Sequence, residues 1–193
     1  MDFSNPVFVN TANQEIIIPE DCQIVFVSDM FAGDYVGGAE LTSEALIESS
    51  PFNVFKLKSH QVTLKNLEEG HHKHWIFGNF TNLQHDLIPS IVANMSYSVL
   101  EYDFKFCRYR SPQKHLVAEG VECGCNDEMH GKMISAFFHG ARSIWWMSEK
   151  QQEEYLKRFP FLSENNQVVL SSVFGEGFWH QLKELRIKYA DEE

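Results

Sequence analysis

The chain has 193 residues, 44% hydrophobic and 22% charged, enough for one well-packed domain. Its formal charge of −11 and pI near 5.2, with no run of Lys and Arg, exclude the phosphate-neutralising surface of a nucleic-acid binder. No apolar stretch reaches the roughly 20 residues of a transmembrane segment, and the opening MDFSNPVFVN lacks the layout of a secretory leader, so the cytoplasm is the expected compartment.

Ile24 to Val27 is short, apolar and β-branched, as a strand buried on both faces should be. Gly37-Gly38 and a helix over 39–48 follow. The uncapped N–H groups of that helix suit an anion, or the glycines form only a turn, since GxGxxG is absent. Residues 53–59 alternate as a strand nearer a sheet edge, and 61–70 read as a polar connection. A third strand over 74–79 precedes a helix over 83–94, with Pro89 as a kink or boundary. Ser96 to Phe104 forms a fourth strand. From 105 to 127 the pattern is that of a long irregular loop. A helix over 128–140, a fifth strand over 141–147, a helix capped by Ser148, a sixth strand over 168–172 and a helix over 178–189 complete the order. The three residues after 190 make an acidic tail.

Strands alternating with helices throughout predict a single α/β domain over 1–193, with a mainly parallel sheet of about six strands, helices on both faces and a Rossmann-like topology. Such sheets bind ligands beyond the carboxyl ends of their strands. That rule places the loop over 29–40, Gly78-Asn79, Tyr102-Asp103 and Ser148 on one rim.

The loop carries a second set of candidates. Cys107, Cys123 and Cys125, with His115 or His130 nearby, supply the donors of a tetrahedral zinc site, although the spacing is not that of a CxxC ribbon. A disulfide and free thiols are the alternatives. Cys22 reads as core. Arg108 and Arg110 are the paired cations of the rim, placed to steer an anionic ligand or to serve simply as surface charge. His71, His72 and His74 read as a polar surface turn, with adventitious metal binding the alternative, and Asp29 and Asp34 as solvated loop carboxylates. Trp145 and Trp146 are expected to pack on opposite faces of the sheet.

Taken in order, GDYVGGAE, EYDFKFC, IWWMSEKQQEEYLKRFP and VVLSSVFGEGFW resemble the N-terminal, acceptor-side domain of nucleotide-sugar glycosyltransferases of the GT-B fold, family 4-like. The resemblance spans nearly the whole chain. It implies Gly37 and Gly38 as donor-phosphate contacts, Glu40 at the helix start beside them, and Asp103 nearest the hydroxyl of a sugar or glycoconjugate acceptor. Inverting transfer requires a general base. Glu101 and Asp103 are the carboxylates for it, unless one merely caps the turn. In that family most of the donor site lies in a C-terminal Rossmann domain, which the chain lacks, so a second domain or chain is the expected partner and the domain alone is expected to be inactive or weak. The alternative is a Rossmann-like binding module without chemistry.

Overall fold

The computed structural model describes residues 16–190. The opening segment read as leaderless and the acidic tail lie outside them. The strands are β1 (Ile24–Ser28), β2 (Val54–Lys58), β3 (His74–Phe77), β4 (Ser96–Glu101), β5 (Ser143–Trp146) and β6 (Asn166–Val169). The helices are α1 (Gly38–Ser49), α2 (Leu64–Glu69), α3 (Ile88–Asn94), α4 (Pro112–Glu119), α5 (Met129–His139), α6 (Glu149–Arg158) and α7 (Glu176–Lys188). All six strands pair in parallel, in the order β2-β1-β3-β4-β5-β6. Ile24 stands between Val54 and His74, so the first strand is central and β2 takes the edge expected of it. The order reverses direction between β1 and β3, which makes the carboxyl ends of those strands the switch point of the sheet.

That order explains how the helices are shared between the faces. Passing from β1 to β2 moves one way along the sheet and every later step moves the other, so right-handed crossovers put α1 on one face and α2 to α6 on the other. The larger core joins Leu67 of α2, Ile91 of α3, Phe137 and Phe138 of α5 and Tyr155 of α6 to Val25, Trp75, Tyr97 and Trp146 of the sheet. Beneath α1 the layer is thinner, with Phe26, Ile76 and Leu100 packed by Leu46, Ile47 and Trp145. Trp145 and Trp146 therefore do face opposite sides. Rings dominate the larger core: Phe137 stacks on Tyr97 at 4.9 Å and meets Phe77 and Phe80 edge-on at 5.2 and 5.0 Å. Each fully buried ring of this kind stabilises the fold by about 1.5–3 kcal/mol.

Two connections are more ordered than their composition suggests. The stretch 61–70 holds α2, started by a reciprocal capping box in which Thr63 Oγ1 accepts from Asn66 N and Asn66 Oδ1 accepts from Thr63 N. The segment expected to be irregular, 105–127, contains α4. Ser111 accepts from Lys114 N at its start, Pro112 sits in its first turn, and Gly120 ends it with a left-handed φ of 71°. Pro89 likewise opens α3 rather than kinking it, and a 3-10 turn takes the residues before it. His74 belongs to β3, not to a surface turn, and its ring bonds Ser96 and Ser98 at 3.1 and 3.0 Å. None of the helices among the described residues is long and apolar enough to cross a membrane.

Candidate functional site

The turn after β4 is tied by backbone bonds from Cys107 N to Phe104 O and from Arg110 N to Cys107 O, both 2.8 Å, and from Phe104 N back to Arg110 O. It presents the Cys107 thiol inward. Helix α4 then points His115 at that thiol from its first turn, and the Cys123-Gly124-Cys125 stretch returns past both before α5 begins. The four candidate ligand atoms of Cys107, His115, Cys123 and Cys125 lie within 4.8 Å of one another, and all four side chains are buried. His115 Nδ1 stands 3.5 Å from Cys125 Sγ and 3.8 Å from Cys107 Sγ. The group can hold a metal ion. All four cysteines are free thiols, and Cys22 lies apart in the core. His130, the other histidine considered for the cluster, turns away to Lys105 O at 2.8 Å.

The two cysteines of the CxC pair differ in acidity. Burial pushes the Cys123 thiol up to about 12, reinforced by the neighbouring thiols of Cys107 and Cys125. Burial opposes ionisation of Cys125 too, but hydrogen bonds from the Arg108 backbone N–H and guanidinium outweigh it and lower its pKa. Arg108 is shared between that sulfur and Glu128, whose Oε1 it reaches at 2.6 Å. A cation bound among the sulfurs would deprotonate them outright, leaving Arg108 as the adjacent positive charge.

No known protein family matches the chain, and no characterised protein matches it in sequence.

The remaining candidates lie along the carboxyl edge. Gly37 is the extended N-cap of α1, and a Cβ there would meet Glu40 Oε2 at 2.5 Å and Tyr35 Cε1 at 2.7 Å. Glu40 is buried, and its carboxylate folds back over the helix start. Gly38, by contrast, faces open space. One turn into α1, Ser43 Oγ bonds Tyr102 Oη at 2.6 Å, which fastens α1 to the end of β4. Asp103 follows, ion-paired with Arg110 and with Lys105 Nζ at 3.5 Å. Its carbonyl accepts from Gln151 Nε2 at 2.8 Å, while Gln151 N donates to Ser148 Oγ at the start of α6. The turns near Gly37, Asp103 and Ser148 thus share one edge of the sheet. A hollow of about 320 Å³ lies there, lined by Tyr102, Phe104, Met147, Ser148, Lys150 and Gln151 among others.

Glu101 is withdrawn from that hollow. It is fully buried, accepts from Lys105 N and bonds Lys105 Nζ at 3.0 Å. Burial, with the negative charge of Asp103 nearby, raises its carboxyl to about 7 against the opposing pull of Lys105. The buried Lys105, holding both Glu101 and Asp103, escaped the sequence reading because nothing in the pattern distinguishes it from a solvated lysine. Asp29 also differs from expectation. It is buried and binds three loops together, accepting from Thr81 N and Asn82 N at 3.0 Å each and from Ser59 Oγ. Asp34 is the loop carboxylate foreseen, paired with Lys58 at 2.6 Å.

Proposed function

We propose that zinc fills the cluster of three cysteines and one histidine, and that the domain it stabilises is the acceptor side of a nucleotide-sugar transferase. The zinc assignment rests on the spacing of the donors. Bonds of ~2.3 Å to sulfur and ~2.0 Å to nitrogen at tetrahedral angles give sulfur–nitrogen edges of about 3.5 Å; His115 Nδ1 stands 3.5 and 3.8 Å from two of the sulfurs, and all four donor atoms lie within 4.8 Å of one another. Three thiolates and an imidazole favour a borderline-soft ion over magnesium or calcium. With four protein ligands and no open position, the role is structural. Metal analysis of protein purified without added metal tests it: about one zinc per chain is expected, and its absence refutes the assignment.

The transferase reading is supported by the shared edge, where Ser43 of α1 bonds Tyr102, Asp103 O accepts from Gln151, and Tyr102 and Ser148 line one hollow. Calorimetric titration with uridine and guanosine diphosphate sugars, with and without a donor-binding partner chain, tests it. Gly38→Trp places its ring in open space, so it spares the fold while blocking the approach to α1. The reading expects binding that this variant abolishes. Full-strength binding in the variant removes the start of α1 from the site, and no binding in any combination sinks the reading.

One observation favours a binding module without chemistry. Both candidate bases are already paired, Glu101 with Lys105 and Asp103 with Arg110 and Lys105. Sugar transfer by the domain with its partner, lost in Asp103→Asn, decides for the enzyme. Ligand binding without turnover decides for the module.

A further inference from the structure

A second pocket, of about 270 Å³, opens at the carboxyl edge on the α3 and α5 side of the sheet, opposite α1. Phe80, Leu83, Ile88 and Ile134 give it an apolar floor, while Lys105, Arg108 and Arg110, with His85 and His130, stand around it. No Asp or Glu lines it, in a chain whose acidic side chains outnumber its Lys and Arg by 27 to 16. The cations are held from outside the pocket: Lys105 by Glu101 and Asp103, Arg110 by Asp103 and Asn79, Arg108 by Glu128. Each guanidinium has five N–H donors in a fixed fork, so these partners orient the arginines without exhausting them.

The wall carrying these cations is built on the cysteine cluster. Cys107 lines the pocket and belongs to the cluster, and Arg110 N closes the same turn on Cys107 O at 2.8 Å. Arg110 adopts a left-handed φ of 55°, a conformation that a non-glycine residue keeps only where its surroundings enforce it. From the other side His130 of α5 bonds Lys105 O at 2.8 Å. Loosening the cluster would therefore release the turn that presents Arg108 and Arg110.

We propose that this pocket binds a small organic oxyanion, a carboxylate or phosphate monoester on an apolar body of about one ring, and that the metal centre is its supporting wall. Size limits the ligand. A cavity of about 150 Å³ takes benzene, whereas drug-sized ligands occupy about 300–1,000 Å³. A single ring with its anionic group fits, and a whole nucleotide sugar does not. The inference stands apart from the transferase reading, since it uses neither α1 nor the hollow beside Ser148, and it rests on the zinc reading only for its supporting wall.

The test is calorimetry on the metal-loaded chain with phenyl phosphate and benzoate as anionic probes and benzyl alcohol as their neutral counterpart. The anions should bind at least about tenfold more tightly than the alcohol, as expected of a charge-assisted hydrogen bond. Arg108 is half exposed, so Arg108→Gln should fold, and, compared at equal metal content because Arg108 also bonds Cys125, it should lose about fivefold or more in phenyl phosphate affinity and little for the alcohol. Chelator-stripped protein should lose phenyl phosphate binding by about tenfold or more. Anions that bind no better than the alcohol, or not at all, overturn the site. So does phenyl phosphate affinity that survives both Arg108→Gln and Arg110→Gln. Undiminished affinity in stripped protein overturns the role given to the metal centre.

Discussion

Replacing Gly131 by alanine sets helix propensity against backbone packing. In an isolated helix the exchange stabilises by about 0.5–1 kcal/mol, and Gly131 lies within α5. Yet α5 passes so close to the turn carrying Cys125 that a Cβ at this position would stand 2.1 Å from Cys125 O, 2.8 Å from Asn126 Cα and 2.9 Å from Cys125 C. All three are backbone atoms, so no rotamer change relieves the overlap. Restoring ordinary contact at ~3.4 Å shifts the Cys125 backbone by about 1.3 Å, whereas metal–ligand distances tolerate about 0.2 Å. The shift withdraws Cys125 from the centre. Overpacking costs about 1–3 kcal/mol, which exceeds the helical gain, and loss of the metal adds to it. Gly124→Ala is the control, because its Cβ meets nothing within 4 Å and its φ of −102° suits alanine. Zinc content after gel filtration and urea melts should separate the two variants. Gly131→Ala with full zinc and unchanged or higher stability would refute the reasoning.

With zinc in the cluster as proposed, stripping it with a tight chelator should destabilise the domain by several kcal/mol, since apparent binding free energies of structural zinc are about 10–16 kcal/mol. Equal thermal midpoints before and after chelation would contradict it. Phe137→Ala empties a fully buried site among Tyr97, Phe77 and Phe80 and should cost about 3–5 kcal/mol in chemical denaturation; a loss below about 1 kcal/mol would mean that the ring cluster is not the core described. For Glu101 the folded carboxyl, raised to about 7, keeps a proton that the unfolded chain gives up above about 4.3. Its contribution is thus complete at low pH and falls as pH rises towards 7, with a slope of at most about 1.4 kcal/mol per pH unit. Glu101→Gln should remove that part of the pH dependence in urea melts between pH 4.5 and about 7.5, and an unchanged profile would assign it elsewhere.

Periodicity made the sheet legible. Runs such as Ile24–Val27 and Ser96–Leu100 have residues suited to burial on both faces, and helical patterns recur between the strands, after a long loop in the case of the fourth, so the parallel order could be read locally. The helices that escaped notice, α2 and α4, are short and polar, and their evidence lay in caps rather than in apolar spacing: Thr63 with Asn66, Ser111 with Pro112 and Gly120. The cysteines and His115 could be named as donors because few residue types bind a soft metal. Their chain separations, however, match no standard zinc motif.

The amino-acid order by itself determined the strands, most of the helices and the chemical kinds of the candidate ligands, because local propensity and side-chain chemistry do not depend on distant neighbours. Convergence of Cys107 with Cys125, the choice of His115 over His130, the pairing of Glu101 and Asp103 with Lys105, and the cation-lined pocket were decided only by the tertiary structure. Those features depend on distances between segments that the folded backbone alone sets, and a shift of about 1 Å is enough to separate a ligand from its metal.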